Sequence, residues 1–389
     1  MLCESIRRLD SDVRDAFVCL LSGVLEFNNM FASFKGEGTG AVRHMFSHHI
    51  LKPERMPLEA NIWGTPKSSG AFSTLFETRL LRAADYSENP HEIRVSYSGG
   101  RKSGAKVYSL SIPLRSAVAN SWEDFDRDGG PYLRCGDSSK TDLPAQSVDA
   151  VVTDPPFFDN VHYSELADFF YVWQCHLLGG NPKAEQMTTR SPREVQHTDA
   201  VVFTVRLRDV LAECHRVLKK DGLLVFTYHH SRPQGWACVL RAVVDAGFQI
   251  VACHPIKAEM SVAQPKHQAK EPIAFDTILV CRKRTAGEVQ PADCEFVLAE
   301  ATQSAEGQIA RLNAQGMALS RNDVRVALMA QVIRRLSQMR DGKVVTNALA
   351  SGEKQLERII GKLHAEQRPA ERERTPPRAV RQPSLFDRD

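Results

Sequence analysis

From about residue 89 to residue 285, short apolar runs alternate with longer stretches in which apolar side chains recur every three or four positions. The runs are IRVSY, KVYSLSI, YLRCGD, VDAVVTD, GLLVFTYH, FQIVACHP and DTILVCRKR, and each reads as a β-strand. The periodic stretches, Ser164–Leu178, Val205–Leu218 and Trp236–Ala246, read as helices. Strands alternating with helices predict an α/β domain over 89–285 with a mostly parallel, doubly wound sheet. Residues 1–88 begin with a helical pattern, VRDAFVCLLSGVLEF, and continue through a segment rich in Gly and His that holds too many turn formers for one regular element. Residues 286–365 read as helical, and 366–389 are charged and Pro-rich, the composition of a disordered tail. No internal repeat is evident.

Composition narrows this picture only a little. The 389 residues are 42% hydrophobic and 25% charged, enough for one large core and a smaller one. Fifty basic and 47 acidic residues leave a formal charge of +3, which neither supports nor excludes a nucleic-acid partner. No apolar run approaches the roughly 20 residues that span a bilayer, and MLCESIRRLDSD lacks the apolar core of a signal peptide, so the expectation is a cytoplasmic protein with no membrane partner. The nine cysteines form no C-x-x-C pair and are expected to be mostly buried small hydrophobes.

The stretch DAVVTDPPFFDN, Asp149–Asn160, is where chemistry is expected. Its apolar run suits an inner parallel strand buried on both faces, and Asp154 follows the strand's carboxyl end, where open α/β sheets bind ligands. Two prolines fix the backbone there and remove two N–H donors, so the corner presents acceptors only. A carboxylate and a carbonyl can each accept one hydrogen of a planar amine while an aromatic ring stacks on its face. A nucleobase exocyclic amine answers that description. The competing reading is a Pro-rich loop after a core strand.

Asp154-Pro155-Pro156-Phe157 resembles the D/N-P-P-Y/F motif of S-adenosylmethionine-dependent amino-methyltransferases. The longer run VDAVVTDPPFFDNVHYSELADFFYVW, and the segment from Phe27 to Gly70, resemble a family of large prokaryotic adenine-specific DNA methylases, over about residues 15–340. The resemblance implies a Rossmann-like class I methyltransferase sheet with helical additions at both ends. It also implies that Asp154 and the Pro155 carbonyl accept hydrogen bonds from the target amine, that Pro156 stiffens the corner and that Phe157 stacks on a flipped base. Attack on the sulfonium methyl is then direct, and no metal is needed. Phe158, Asn160 and Tyr163 are candidates to line the base pocket, although Phe158 suits the core equally well. In YLRCGDSS, Asp137 and Ser138 stand where such enzymes approach the adenine of the cofactor, and an Asp there is as often a plain turn former. LAECHRVLKKDGLLVFTYHH reads as a helix, a Lys-Lys-Asp-Gly turn and a strand with His229 and His230 at its end, and the resemblance implies that FQIVACHP and DTILVCRKR form an antiparallel hairpin at the far edge of the sheet.

One expected part is missing. The glycine-rich cofactor turn of these enzymes has only one counterpart, Gly36, Gly38 and Gly40, and no buried strand precedes it. That segment reads better as a loop along a DNA or base channel, with Arg43, His44, His48, His49, Lys52 and Arg55 available to phosphates. The sheet is therefore expected to lack its first strands, the Asp154 strand to present an open edge, and a second polypeptide to supply the cofactor turn. DNA is the expected partner and S-adenosylmethionine the cofactor, with adenine favoured over cytosine by resemblance alone. The alternatives are a non-catalytic DNA-binding module and amino-methylation of cytosine, of RNA or of a protein glutamine. In the tail, Gln382, Leu385 and Phe386 resemble the short peptide by which bacterial proteins dock on the replication sliding clamp.

Overall fold

The structure is a computed structural model that describes residues 1–34, 42–48, 53, 57–63, 70–98, 101–108, 117–126, 129–159, 161–178, 188–258, 273–284, 294–339 and 353–371. Gly36, Gly38, Gly40, His49, Lys52, Arg55, Asn160 and the tail residues Gln382, Leu385 and Phe386 lie outside the described residues. The chain divides into two compact units whose boundary runs through the 89–285 segment. One comprises Met1–Pro144 and Phe158–Asp199; the other comprises Ala145–Phe157, Ala200–Ser261 and Ala269–Asp389.

The first unit is mainly helical. Helices α1 (Leu2–Arg7) and α2 (Ser11–Leu25) pack with α3 (Phe72–Leu75), which continues through a π-turn at Phe76–Leu81 into α4 (Arg82–Glu88), and with α5 (Tyr163–Leu177). Their apolar faces meet in a core of Ile6, Val18, Leu21, Val24, Phe72, Leu75 and Leu177. The short strands β1 (Ser33–Phe34) and β2 (Val42–Arg43) pair antiparallel, as do β3 (Glu92–Ser98) and β4 (Arg101–Val107).

IRVSY and the start of KVYSLSI thus form their own hairpin and do not enter the main sheet. YLRCGD is no strand: its one pairing is an isolated bridge between Ala119 and Tyr132, and Asp137 opens a turn closed by the Lys140 N–H on the Asp137 carbonyl, 3.0 Å. The polar Arg-Cys-Gly-Asp half of that run leaves too few apolar positions to hold a strand in a sheet.

The second unit carries a four-stranded mixed sheet in the order β5-β6-β8-β7, with β5 Val148–Thr153, β6 Leu218–Tyr228, β7 Phe248–Lys257 and β8 Phe275–Lys283. Only β5 and β6 run parallel, joined through α6 (Ala200–Val217); β6 to β8 and β8 to β7 are antiparallel. The expectation of a mostly parallel sheet is corrected in this respect, while the α/β character and the far-edge hairpin are present. Alternating side chains explain the pairing. Leu224, Phe226, Tyr228, Phe275, Leu279 and Cys281 are fully buried and their neighbours half-buried, which is one apolar face under helices α7 (Pro233–Asp245) and α9 (Arg321–Ser337). Helices α8 (Cys294–Ala314) and α10 (Glu353–Glu371) complete this unit.

The expected Lys-Lys-Asp-Gly turn is instead part of β6. Register passes from Val148 opposite Leu218 to Ala150 opposite Leu223, so the four intervening residues bulge out of the ladder. A Cβ on Gly222 would stand 3.0 Å from the Asp149 carbonyl, and that close approach needs glycine.

Strand β5 is not the buried inner strand its apolar run suggests. Among the described residues it pairs only with β6; Val152 is 79% exposed, and Ala150 and Thr153 are exposed beside it. Among the described residues β5 is therefore an edge strand of this sheet. Of the eight cysteines whose burial is described, only Cys238, Cys253 and Cys281 are buried, so burial of most of them is not found. No described helix is long and apolar enough to cross a membrane.

Candidate functional site

The end of β5 and the end of β6 lie side by side because the two strands run parallel in register, Thr153 opposite Phe226. Everything that follows either strand is therefore brought to one end of the sheet. Asp154, exposed, accepts a short hydrogen bond from Thr227 Oγ1. That bond turns one carboxylate oxygen toward β6. Pro155 and Pro156 follow with half-buried rings and no N–H to donate.

Phe157 is fixed by two rings of β6 and its exit. It meets Tyr228 edge-on at 5.4 Å and 75° and His229 at 4.7 Å and 70°, both within the range of favourable aromatic pairs. Tyr228 is fully buried and its hydroxyl donates to the Gly235 carbonyl, 3.0 Å. His229 is bound through Nδ1 to the Asp276 carboxylate, and both are largely buried. Residues Thr227 and His229 share one face of β6 by strand alternation, so one strand end steers both the carboxylate and the ring of the motif.

A chain of supports reaches this point from α9. Ser320 caps α9 with Asp323 in a reciprocal capping box, and the buried Asp323 Oδ1 also accepts from the backbone N–H of Ala274, 2.7 Å, and of Phe275, 3.3 Å. The start of β8 is thereby pinned, and with it Asp276, which lies opposite His229 one step beyond the Tyr228–Thr277 pair.

His230 turns the other way. It is fully buried, its Nδ1 accepts from the Arg232 N–H, 3.0 Å, and its carbonyl accepts from Trp236 Nε1, 2.8 Å, so it belongs to the turn into α7. Gly235 makes room for it: a Cβ there would lie 2.5 Å from the imidazole.

The remaining predicted residues belong to the first unit. Phe158 begins it with a positive φ of 57° and is 2% exposed, so its ring has no face open to a base. Tyr163, half-exposed at the start of α5, lines an apolar cavity of about 450 Å³ with Phe46, Val161, Leu166 and Phe170. Asp137 Oδ1 accepts from the Ser139 N–H, 2.9 Å, and hydroxyl, 2.6 Å, and Oδ2 stands 3.5 Å from Arg193. The Ser139 hydrogen bonds, the side-chain one foremost, hold this carboxyl below the usual carboxylate range. Ser138 is exposed in the same turn. His44 Nδ1 lies 3.1 Å from Glu26 Oε1, with its ring on Phe27, and Arg43 sits in β2. A carboxylate at that distance opposes a phosphate on the same imidazole.

Sequence reasoning did not single out Thr227, Tyr228 or Asp276. Thr227 and Tyr228 were readable in principle, as the residues just before the paired histidines of a strand parallel to β5. Asp276 was not, because only the antiparallel register brings it to His229.

No protein-family model matches the chain, and no curated protein matches it in sequence.

Proposed function

We propose that this chain is the target-binding part of an S-adenosylmethionine-dependent amino-methyltransferase acting on the exocyclic amine of adenine in DNA, and that a second polypeptide carries the glycine-rich cofactor turn. One observation carries the reading. An exposed carboxylate and a Pro-Pro corner stand at the carboxyl end of a parallel strand, with both the carboxylate and the adjoining aromatic ring fixed by the end of the neighbouring strand. The far-edge hairpin of β7 and β8 supports the same reading, since the sequence resemblance implies it.

Asp137, the residue expected beside the cofactor, accepts from Ser139 through Oδ1 and faces Arg193 through Oδ2 at 3.5 Å. When held by the partner, S-adenosylmethionine supplies an electrophilic methyl group. The chain's own work is at the amine. Asp154 and the Pro155 carbonyl accept its two hydrogens and so direct the nitrogen lone pair away from the corner, while Phe157 fixes the plane of the base. As the nitrogen gains its fourth bond it becomes cationic, and the anionic Asp154 stabilises that charge and takes the departing proton, which then passes to solvent. Thr227 orients the carboxylate throughout. Binding and positioning are the roles of this chain, with no covalent intermediate on it.

The test is methyl transfer from radiolabelled S-adenosylmethionine to an adenine-containing duplex by the assembled complex. Asp154→Ala is expected to lower the rate by on the order of a thousandfold. It should leave the melting temperature unchanged, because the side chain is exposed and its loss opens no cavity. Activity within a few fold of the unaltered protein would sink the assignment.

A further inference from the structure

Far from the motif, α8, α9 and β7 enclose a cavity of about 730 Å³ whose lining is cationic and amide-rich. Arg311 and Arg334 line it together with His254, Ser304, Gln308 and Gln331, and among the described residues no carboxylate does. Arg334 donates through Nη1 to Gln331 Oε1 at 3.3 Å, whereas its buried Nε has no partner, and no carboxylate pairs with it among the described residues. The adjacent Cys253 supplies no negative charge. Burial pushes its thiol up to about 12, against the opposing pull of Arg334, and the thiol donates to the Ala330 carbonyl. Two guanidiniums lining one cavity, with no lining carboxylate among the described residues, leave it positively charged, and an anion offsets that charge.

The rest of the lining describes the body of the ligand. Gln308 Nε2 is spent on the Cys253 carbonyl, 2.9 Å, which leaves its Oε1 as an acceptor; Gln331 spends its Oε1 on Arg334, which leaves its NH2 as a donor. Gln331 is 2% exposed and is held in place by its bond to Arg334. Acceptors and donors so arranged suit hydroxyls and ring nitrogens. The volume falls within the ~300–1,000 Å³ of small-molecule sites and exceeds what one oxyanion fills. We propose that this cavity binds a nucleoside phosphate, its phosphate on Arg334 and Arg311 and its sugar and base on the amides. The inference is independent of the function argued for the Asp154 corner.

Calorimetric titration of the full chain with ADP, inorganic phosphate and adenosine tests it. Binding of ADP, weaker binding of phosphate and none of adenosine is expected, and excess S-adenosylmethionine should not displace ADP. Arg334→Gln and Arg311→Gln are each expected to weaken ADP by about tenfold or more. Arg311 is exposed, so its variant is expected to melt as the unaltered protein does and keeps the test decisive if the Arg334 variant folds poorly. No binding of ADP or phosphate at millimolar concentration overturns the proposal. So does affinity unchanged in both variants, or displacement by S-adenosylmethionine or by a DNA duplex, the last of which would make these arginines a nucleic-acid contact.

Discussion

Thr227 is worth as much attention as Asp154, because the direction of a carboxylate decides what it can accept. The Thr227 hydroxyl holds one oxygen of Asp154, and Thr227→Val keeps the shape of the side chain while removing that donor. The expected result is a fall of about tenfold in the turnover of the assembled complex with little change in DNA affinity, a magnitude ordinary for one lost hydrogen bond to a charged group. Unaltered turnover would show that Asp154 is oriented by something else. At Phe157 the ring and not its substituent is at issue, since its edge contacts to Tyr228 and His229 come from the ring carbons. Phe157→Ala is expected to weaken capture of a flipped base by about 1–3 kcal/mol, and Phe157→Tyr to be tolerated. Equal damage from both, read from binding to a duplex with a mismatched target base, would remove stacking as the explanation.

At the scale of elements, what the sequence made legible was whatever local pattern controls. The pairing of FQIVACHP with DTILVCRKR at the far edge was implied by the resemblance, but both could be read as strands because each is a short apolar run, a local pattern. Helices α5, α6 and α7 were found within a few residues for the same reason. IRVSY and KVYSLSI were recognised as strand-like, yet no local feature tells which sheet a strand joins, and they pair with each other. Gly222 misled in the opposite direction: beside Asp221 it spells a turn, but the parallel neighbour β5 stretches it into a bulge. Gly235 carries a prediction of its own. A Cβ there meets the His230 ring, and the ring cannot withdraw because the Arg232 N–H and the Tyr228 stack hold it. Gly235→Ala is expected to destabilise the protein by about 1–3 kcal/mol by overpacking, despite alanine's better helix propensity. Denaturant unfolding checks it, and a variant as stable as the original would show that the turn into α7 has room to move.

For the whole molecule, the telling feature is the edge formed by β5. Among the described residues the motif-bearing strand is the last of its sheet, and the outward side chains do little to blunt that edge. Ala150, Val152 and Thr153 are exposed, and the strand's single charge, Asp149, is tied to Lys219 at 2.5 Å. Natural edges are ordinarily protected by lysine, proline or a covering element. Among the described residues β5 has none of these on its free side, which is the arrangement expected if a partner's strand normally continues the sheet. The isolated chain is therefore expected to self-associate as its concentration rises, measured by size-exclusion chromatography with light scattering. Val152→Lys should return it to a monomer. Since Val152 is exposed, that change is expected to alter unfolding free energy by no more than about 0.5 kcal/mol. If the proposed second polypeptide joins there, the same substitution should abolish its association, and with it all S-adenosylmethionine binding seen by calorimetry in the mixture. A chain that stays monomeric at high concentration, or a Val152→Lys variant that still assembles and binds cofactor, would mean that β5 is not where the second polypeptide joins.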